Sequence, residues 1–270
     1  MFILRALFST AAAVALLAGS AVAANAGAAS TTLRSETVRV LQMNLCNSGQ
    51  AGCYKQGRAV GEAIEKMKAH KSKVVTFNEI CRDDFAKFLK AEGDIWGHAK
   101  GHFRAAGTAN GGTIACKNGG DYGIGVVQEG NAAIKTWDGQ FRDQSAKNEK
   151  RVYSCMYAPS GYYACTAHLD SSDEKIALAQ CKQLMFDIVP TIRAKVGVDV
   201  PFFVGGDFNL EYDKNDKENV QNCVPNGYVR KGDGGVQHII GSNNARFTGA
   251  STFGMNETDH SALVGTFEIG

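Results

Sequence analysis

The pattern of apolar and polar positions in the first half of the chain predicts alternating strands and helices. Thr37–Met43 alternates apolar and polar side chains, as a half-buried strand does. Apolar residues recur at helical spacing between Tyr54 and His70, and Lys73–Phe77 is a short apolar strand. Asp84–Lys90 has the spacing of a second amphipathic helix. This order of elements is the usual beginning of an α/β domain.

The second half of the chain combines a hairpin with a helical crossover. Arg151–Tyr157 and Tyr162–His168 flank a turn sequence, which predicts an antiparallel hairpin. Ser171 and Glu174 have the spacing of a capping box before a helix that we expect to end at Pro190. The remaining strands are predicted over Gly123–Gln128, Val200–Val204, Val236–Ile240 and Ala262–Ile269, the first of them after a long loop over Gly107–Asp121. Mixed strand directions with helical crossovers favour two packed sheets flanked by helices in one domain.

The first 26 residues differ in composition from the rest of the chain. A single charge at Arg5, an apolar run over Ala11–Leu17 and small-residue cleavage sites ending at Ala23 and Ala26 predict a secretory signal peptide over residues 1–26. The apolar run is shorter than the roughly 20 residues that a membrane-spanning helix needs. We therefore expect a secreted, extracellular protein with one domain over residues 27–270 and no membrane insertion.

Composition and charge exclude several classes but leave the partner open. A hydrophobic fraction of 44% is too high for a disordered chain. Lys and Arg number 29 against 27 Asp and Glu, so the net charge is only +2. This balance argues against a protein held on nucleic acid by bulk charge alone, although it does not exclude a local basic patch.

Eight cysteines in an exported chain predict disulfides, because the number is even and the compartment is oxidising. None has the C-x-x-C spacing of a zinc or redox site. Two close pairs are predicted bridges: Cys46 with Cys53 across a small loop, and Cys155 with Cys165 across the hairpin. The partners among Cys81, Cys116, Cys181 and Cys223 stay open.

Polar residues that could carry chemistry collect where predicted strands end or begin: Asn44, Asn78–Glu79, His168, Asp207, Asn209 and Asp259–His260. Each alone is readily explained as a turn former or a structural histidine. Together they meet the needs of metal-dependent phosphoryl hydrolysis. Glu79, with Asn44 or Asp259, offers the oxygen ligands that Mg²⁺ prefers. Asp207 can serve as the base, and the amide and imidazole groups can donate to phosphoryl oxygens.

Five motifs occur in a familiar order: Gln42–Met43–Asn44, Phe77–Asn78–Glu79–Ile80, Thr166–Ala167–His168–Leu169, Gly205–Gly206–Asp207–Phe208–Asn209 and Thr258–Asp259–His260–Ser261. In order and spacing they resemble the endonuclease/exonuclease/phosphatase superfamily, whose founding fold is that of deoxyribonuclease I. The GDFN and (S/T)DH elements are the most specific. The resemblance implies a secreted bacterial-type member with a four-layered α/β sandwich of two mixed β-sheets flanked by helices. It also implies phosphoester cleavage dependent on Mg²⁺, with Ca²⁺ or Mn²⁺ as alternatives.

The resemblance also implies a role for each matched residue. Asn44 and Glu79 resemble metal-site residues with Asp259 close by, Asp207 the residue that orients or deprotonates water, Asn209 a phosphate donor, and His168 and His260 the paired histidines on the scissile phosphate. Arg151 and Tyr122 lie near where the family places further phosphate contacts.

The chain departs from the family pattern at two positions. Asn78 stands where the family usually has Gln before the metal glutamate, so an amide is kept. The family also has an Asp that orients the final histidine, and the corresponding segment here contains Gln237 and His238. We expect Gln237 to orient His260, with Asp233 as the alternative, and His238 to be structural.

Two enzymatic substrates and one non-enzymatic function are compatible with these residues. A nuclease acting on DNA or RNA is favoured by basic loop residues that could contact phosphates: Lys55, Arg58, Arg104, Lys117, Lys147, Lys150 and Arg151. A sphingomyelinase or phospholipase-C-like enzyme, acting on a lipid head group or inositol phosphate, is the alternative, because Tyr162–Tyr163 could enter a lipid interface at the hairpin tip. A binding or toxin-like module without turnover is disfavoured by the full set of acids and histidines. We expect a monomer.

Overall fold

The computed structural model describes residues 35–117, 119–158 and 161–270, so the predicted signal peptide lies outside the described residues. The strands are β1 (Glu36–Asn44), β2 (Val74–Cys81), β3 (Ala99–Ala105), β4 (Gly107–Thr108), β5 (Tyr122–Glu129), β6 (Lys135–Gln140), β7 (Glu149–Lys150), β8 (Val152–Ala158), β9 (Tyr162–His168), β10 (Phe202–Asp207), β11 (Tyr228–Gly232), β12 (Gln237–Ser242), β13 (Arg246–Phe253) and β14 (Ala262–Ile269). The helices are α1 (Arg58–His70), α2 (Arg82–Trp96), α3 (Glu174–Lys182) and α4 (Val189–Val196), with a π-helical segment at Gln183–Ile188 and a 3₁₀ turn at Val220–Cys223.

Two six-stranded mixed sheets form the middle of the fold. The first sheet has the order β13-β14-β1-β2-β5-β3 and the second β11-β12-β10-β9-β8-β6, and β4 pairs separately with β7. Each large sheet contains one parallel pair, β1 with β2 and β9 with β10, and its other pairs are antiparallel. The predicted mixture of hairpins and crossovers therefore occurs in both sheets.

Apolar side chains fill three layers of core. Between the sheets lie residues such as Val40, Phe203 and Phe267. Helices α1 and α2 cover the first sheet, where Val60 and Met67 lie on the buried face of α1. The segment from α3 to α4 covers the second sheet. Helix, sheet, sheet and helix make the four-layered sandwich, and none of the described helices is long and apolar enough to span a membrane.

Two sequence predictions about the crossover helix are wrong. Its N-cap is Asp173, whose carboxylate accepts the backbone N–H groups of Lys175 and Ile176, so Ser171 is not the cap. The helix also continues past Pro190 to Val196. Pro190 lies in the first turn of α4, directly after the π-helical segment, where a missing backbone N–H is tolerated.

Four disulfides link all eight cysteines. Cys46 pairs with Cys53 and Cys155 with Cys165, the two pairs that the spacing indicated; the others are Cys81–Cys116 and Cys181–Cys223. Cys46 and Cys81 each follow a candidate metal residue, Asn44 or Glu79, by two positions. The Cys46–Cys53 and Cys81–Cys116 bridges therefore anchor the segments that leave the candidate site. Four disulfides are typical of an oxidising compartment.

Helix α2 carries a buried carboxyl group, Glu92, that is not one of the candidate site residues. Glu92 is fully buried, and neither of its carboxyl oxygens has a hydrogen-bond partner. Burial, together with the smaller effect of the nearby Glu129 charge, raises the pKa of Glu92 to about 9. Glu92 is therefore neutral in the folded protein at neutral pH.

We expect Glu92→Gln to stabilise the protein increasingly as the pH rises. The unfolded carboxyl ionises near pH 4.5 and the folded one near pH 9, so the wild-type free energy of unfolding falls with pH across that window. At about 1.4 kcal/mol per pH unit, the gain is about 3 kcal/mol at neutral pH and vanishes below the unfolded pKa. Urea unfolding across that window measures it. Asp94→Asn, an exposed acid on the same helix, is the control, and equal slopes for wild type and Glu92→Gln would contradict the assignment.

Candidate active site

The two parallel strand pairs place four polar residues at one edge of the sandwich. In the first sheet the register sets Asn44 beside Asn78 at the carboxyl ends of β1 and β2. In the second sheet it sets His168 beside Asp207 at the carboxyl ends of β9 and β10. The site is therefore assembled from both sheets, at the strand ends where ligands usually bind in α/β folds.

A cavity of about 510 Å³ opens at this edge. Seven of the ten candidate catalytic, metal, substrate-binding and orienting residues line it: Glu79, Tyr122, Arg151, His168, Asp207, Asn209 and His260. The other lining residues are Ser48, Gln50, Ala51, Ile114, Asn148, Glu149 and Ser171. The other three candidates, Asn44, Asp259 and Gln237, do not line the cavity.

Asn44 is fully buried and donates hydrogen bonds to two carboxylates of the site. Its Nδ2 donates to Glu79 Oε1 and to Asp207 Oδ2, both at 2.9 Å, while its Oδ1 accepts the backbone N–H of Cys46 at 3.0 Å. One amide thus sets the spacing between two acids that come from different sheets.

The backbone is left-handed at two of the site residues. Glu79 has a φ of 54° and lies where the pairing of β2 with β5 shifts register, between Phe77 and Ile80. Asn209 has a φ of 49°, and its Nδ2 donates to the carbonyl of Leu169 at 2.9 Å. A non-glycine residue in this region costs about 1 to 3 kcal/mol and is common at functional sites. The bulge and the turn redirect both side chains into the cavity.

Asn78 joins the two sheets through contacts whose direction is unambiguous. Its Oδ1 accepts the backbone N–H of Asp207 at 2.7 Å, and its Nδ2 donates to the carbonyl oxygen of Ala167 at 3.0 Å. A backbone N–H can only donate and a carbonyl can only accept, so the orientation of the Asn78 amide is fixed.

The fixed orientation of Asn78 propagates to Gln237. Gln42 donates from Nε2 to Asn78 Oδ1 at 2.7 Å and to Gln237 Oε1 at 2.9 Å. Gln237 must then direct its Nε2 outward, where it donates to Asp207 Oδ2 at 2.7 Å and lies 3.3 Å from His260 Nδ1. Gln237 therefore offers an N–H donor to the His260 ring, which leaves the hydrogen of a neutral His260 on Nε2.

His168 is also held by a donor. Arg151 Nη1 lies 2.8 Å from His168 Nδ1, and a guanidinium has no acceptor, so Nδ1 carries no hydrogen and Nε2 does. Burial, Arg151 and His260 hold the pKa of His168 well below its ordinary value. The same guanidinium donates to Glu149 at 2.6 Å and to Ser171 Oγ at 2.9 Å. His168 thus faces the cavity as a neutral donor.

The residues at the rim are less tightly held. His260 Nε2 lies 3.6 Å from both Asp207 Oδ2 and Asp259 Oδ1. Asp259 is exposed, and its carboxylate lies near the sulfurs of Cys46 and Cys53. That grouping is not a metal site, because the two sulfurs are bonded to each other.

Comparisons with known structures give the fold an identity. An endonuclease/exonuclease/phosphatase family protein from Bacteroides thetaiotaomicron superposes with a TM-score of 0.62 at 12% identity, over 88% of this chain and 99% of that one. The human Nocturnin catalytic domain with a bound sulfate anion gives 0.61 at 17%, over 87% and 96%. ANGEL2, a 2′,3′-cyclic phosphatase in complex with adenosine-2′,3′-vanadate, gives 0.61 at 13%, over 88% and 97%.

The chain has the endonuclease/exonuclease/phosphatase fold. The four-layered sandwich expected from the motifs is thereby confirmed. No protein-family model and no curated protein sequence matches the chain. Identities of 12 to 17% show a shared fold and leave the chemistry to be argued from this chain's own residues.

Within the endonuclease/exonuclease/phosphatase fold, two of the cavity residues that the sequence did not indicate contact the candidate phosphate-binding Arg151. Glu149 accepts from Arg151 and from the hydroxyl of Tyr122, and burial raises its pKa. Its position in a charged run made it indistinguishable from a solvated surface residue. Ser171 accepts from Arg151, although its spacing to Glu174 had indicated a helix cap. The sequence offered one signal for Glu149: it lies two positions before Arg151, which the family resemblance had already placed near the phosphate.

The donor set of the cavity fits a hard divalent cation. Glu79, Asp207 and Glu149 line one cavity, and Arg151, which also lines it, contacts Glu149. Burial raises the pKa of Glu79, the hydrogen bond from Asn44 opposes the shift, and the charges of Asp207 and Glu149 add to it. Oxygen ligands with excess negative charge are what Mg²⁺, Mn²⁺ and Ca²⁺ bind.

We expect Asn78→Ala to destabilise the protein by about 3 kcal/mol. The change leaves the backbone N–H of Asp207 and the carbonyl of Ala167 buried without their partners, and each such group costs about 1 to 3 kcal/mol. Urea unfolding with a chelator present measures it. Asn222→Ala, which removes an exposed side chain that bonds one carbonyl, is the control and should change stability by less than about 0.5 kcal/mol. A cost as small as that of the control would show that the amide does not hold the sheets together.

Proposed function

We propose that the protein is a secreted, divalent-metal-dependent phosphodiesterase that hydrolyses nucleic acid, DNA or RNA, by in-line attack of water. The observation that carries this proposal is one cavity in which carboxylates face two histidines, each with its Nδ1 beside an N–H donor. Acids can bind a cation and accept a proton, while the donors can bind phosphoryl oxygens.

Glu79 would hold the cation, with Asp259 reaching from the rim. Asn44 directs its Nδ2 at Glu79 and Asp207 and its Oδ1 at the Cys46 N–H, so Asn44 would act by orienting the two carboxylates. Mg²⁺ is the expected ion, with Ca²⁺ or Mn²⁺ as alternatives. When bound, such an ion supplies Lewis-acid stabilisation of charge on the phosphate.

Asp207 is the residue best placed to accept a proton from the attacking water. It is almost fully buried, and Oδ2 is fixed by donors from Asn44 and Gln237. His168 and His260 would each direct an Nε2–H at a phosphoryl oxygen. Because Nδ1 of each ring faces a donor, neither histidine is arranged as a proton acceptor.

Asn209 and Arg151 would complete the phosphate site. The Asn209 amide donates one N–H to Leu169 and has a second for an oxygen of the substrate. Arg151 brings a buried positive charge beside His168, where it would offset the negative charge of the substrate. Tyr122, whose hydroxyl contacts Glu149, would keep that acid away from the phosphate.

Two lysines support nucleic acid as the substrate. The backbone N–H of Lys117 donates to Ser48, and Lys147 Nζ lies 3.5 Å from Ser171 Oγ; both serines line the cavity. The other basic residues with described side-chain contacts are less available. Ion pairs occupy Arg58, Arg104 and Arg151, and Lys150 donates to two backbone carbonyls. ANGEL2, with its adenosine-2′,3′-vanadate, shows nucleotide chemistry on the same fold.

The argument for a lipid substrate loses its structural basis. The prediction that Tyr162–Tyr163 could enter a lipid interface is wrong, because both side chains are fully buried. Tyr162 packs between the sheets and Tyr163 stacks on Phe202 at a centroid distance of 5.0 Å. The two rings are buried among apolar side chains, and their hydroxyls donate to the Glu129 carboxylate and to the Val198 carbonyl.

We expect chelation to abolish hydrolysis and Asp207→Asn to lower kcat by about 10²- to 10⁴-fold, because the variant keeps the shape but loses the proton acceptor. The assay compares plasmid DNA, RNA, sphingomyelin liposomes and a phosphomonoester, with and without Mg²⁺ or Ca²⁺. Asp216→Asn, in an exposed loop, is the control. Unchanged activity in Asp207→Asn or in excess chelator would refute the mechanism, and cleavage of sphingomyelin alone would refute the substrate.

We expect Gln237→Ala to lower kcat by roughly 10- to 100-fold with a smaller effect on KM, because it frees both Asp207 and His260 from their shared donor. Asp233→Ala should retain most activity, since the bonds of the Asp233 carboxylate within the described residues go to backbone N–H groups of Gly235 and Gln237. Steady-state kinetics on the best substrate decides between them. The reverse pattern would identify Asp233 as the orienting residue.

A further inference from the structure

A second surface with the chemistry of a ligand site lies outside the cavity. Tyr212 is 57% exposed, the most exposed of the three large hydrophobic side chains found exposed in the described ranges. The guanidinium carbon of Arg230 lies 4.7 Å from the centroid of its ring. The ring is thus backed by a cation, and much of its surface is open to solvent.

The positive charge of Arg230 is not neutralised. No carboxylate of the described chain lies within 4.0 Å of it, and its hydrogen bonds go to neutral groups. Nε donates to Gln221 Oε1 and Nη1 to His238 Nδ1, both at 3.1 Å. His238 is fixed in turn, because its Nε2 donates to the carbonyl of Leu210 at 2.8 Å.

Lys231, the next residue of β11, faces the other side of the sheet, where its ammonium lies 4.9 Å from the centroid of Phe247. Arg230 is therefore the cation on the Tyr212 side. A hollow of about 290 Å³ lies there, lined by Tyr212, Arg230, His238 and the glycine-rich turn over residues 232–235. The nearby Asp233 carboxylate is turned inward, onto backbone N–H groups of its own loop.

This surface adjoins the candidate active site through two chain segments. Tyr212 follows Asp207, the last residue of β10, by five positions. The glycine-rich turn leads directly into Gln237, which pairs with Asp207 across the sheet. Successive residues of a strand face opposite sides, so Gln237 faces the catalytic network while His238 faces the Arg230 side of the second sheet.

We propose that Tyr212 and Arg230 form a subsite for one unpaired nucleotide of the substrate, away from the scissile bond. The base would stack on the Tyr212 ring, and its phosphate would bind the Arg230 guanidinium. A base must be unstacked from a duplex to do this, so the subsite favours single-stranded substrate. This inference rests on the proposed nuclease function.

The test compares two substrates that share chemistry but differ in reach. Bis(p-nitrophenyl) phosphate fills only the catalytic cavity, whereas a single-stranded oligonucleotide can also reach Tyr212. In Tyr212→Ala, we expect the ratio of kcat/KM for the oligonucleotide to that for the small diester to fall by about 5- to 150-fold, the loss of one stacked base. Tyr212→Trp should keep the ratio, and Phe186→Ala, at another exposed aromatic, is the matched control.

Equilibrium binding separates failure of the subsite from failure of the proposed function. Fluorescence anisotropy of a labelled oligonucleotide in chelator reports binding without cleavage, and Tyr212→Ala should weaken it by a similar factor while Phe186→Ala does not. An unchanged affinity and ratio in Tyr212→Ala would overturn the subsite even in an active nuclease. Absence of nucleic-acid cleavage by the wild type would refute the nuclease alone, because the binding comparison still decides the subsite. Weaker activity of Tyr212→Ala on sphingomyelin vesicles but not on oligonucleotide would assign the surface to a lipid.

Discussion

The hydrogen bond from the backbone N–H of Asp207 to the side chain of Asn78 joins the two halves of the site. One half comes from β1 and β2 and the other from β9 and β10, in different sheets. The sheets approach closely here, since a Cβ on Gly205 would lie only 2.1 Å from Thr76 Oγ1. Glycine on one sheet and amides on both therefore determine the separation of Glu79 from Asp207, and with it any geometry for a cation or a water between them.

The same network distributes proton chemistry among the site residues. A chain of amides that starts at backbone groups ends with an N–H directed at Asp207 and His260. Arg151 places an N–H donor at Nδ1 of His168, as Gln237 does at Nδ1 of His260. Both histidines are thereby kept as donors, while the carboxylates are left as the acceptors. A carboxylate at position 237 would place a further negative charge beside Asp207, which explains why an amide suits this arrangement.

The sequence motifs located residues that share one cavity better than they located the strands that frame it. Strand-end motifs identified five residues that line the cavity, because short buried strands such as β9 and β14 have clear apolar patterns, and the family resemblance added Tyr122 and Arg151. Strands β6 and β13 were not predicted, since their exposed faces leave little periodic signal. Glu149 was missed for a different reason: its importance comes from contacts with Arg151 and Tyr122 that form only in the tertiary structure.

A nearly neutral protein with three carboxylates in its cavity faces a problem in binding a polyanion. Glu79, Asp207 and Glu149 repel phosphate, and Arg151 offsets only part of their charge. A divalent cation held at Glu79 would offset much of this negative charge, so metal and substrate binding should be coupled, each strengthening the other. Cations outside the cavity, such as Arg230, would then act on parts of a bound strand beyond the cavity. The net charge of +2 is therefore compatible with a polyanionic substrate, because a few cations at specific positions can bind phosphates without a large basic surface.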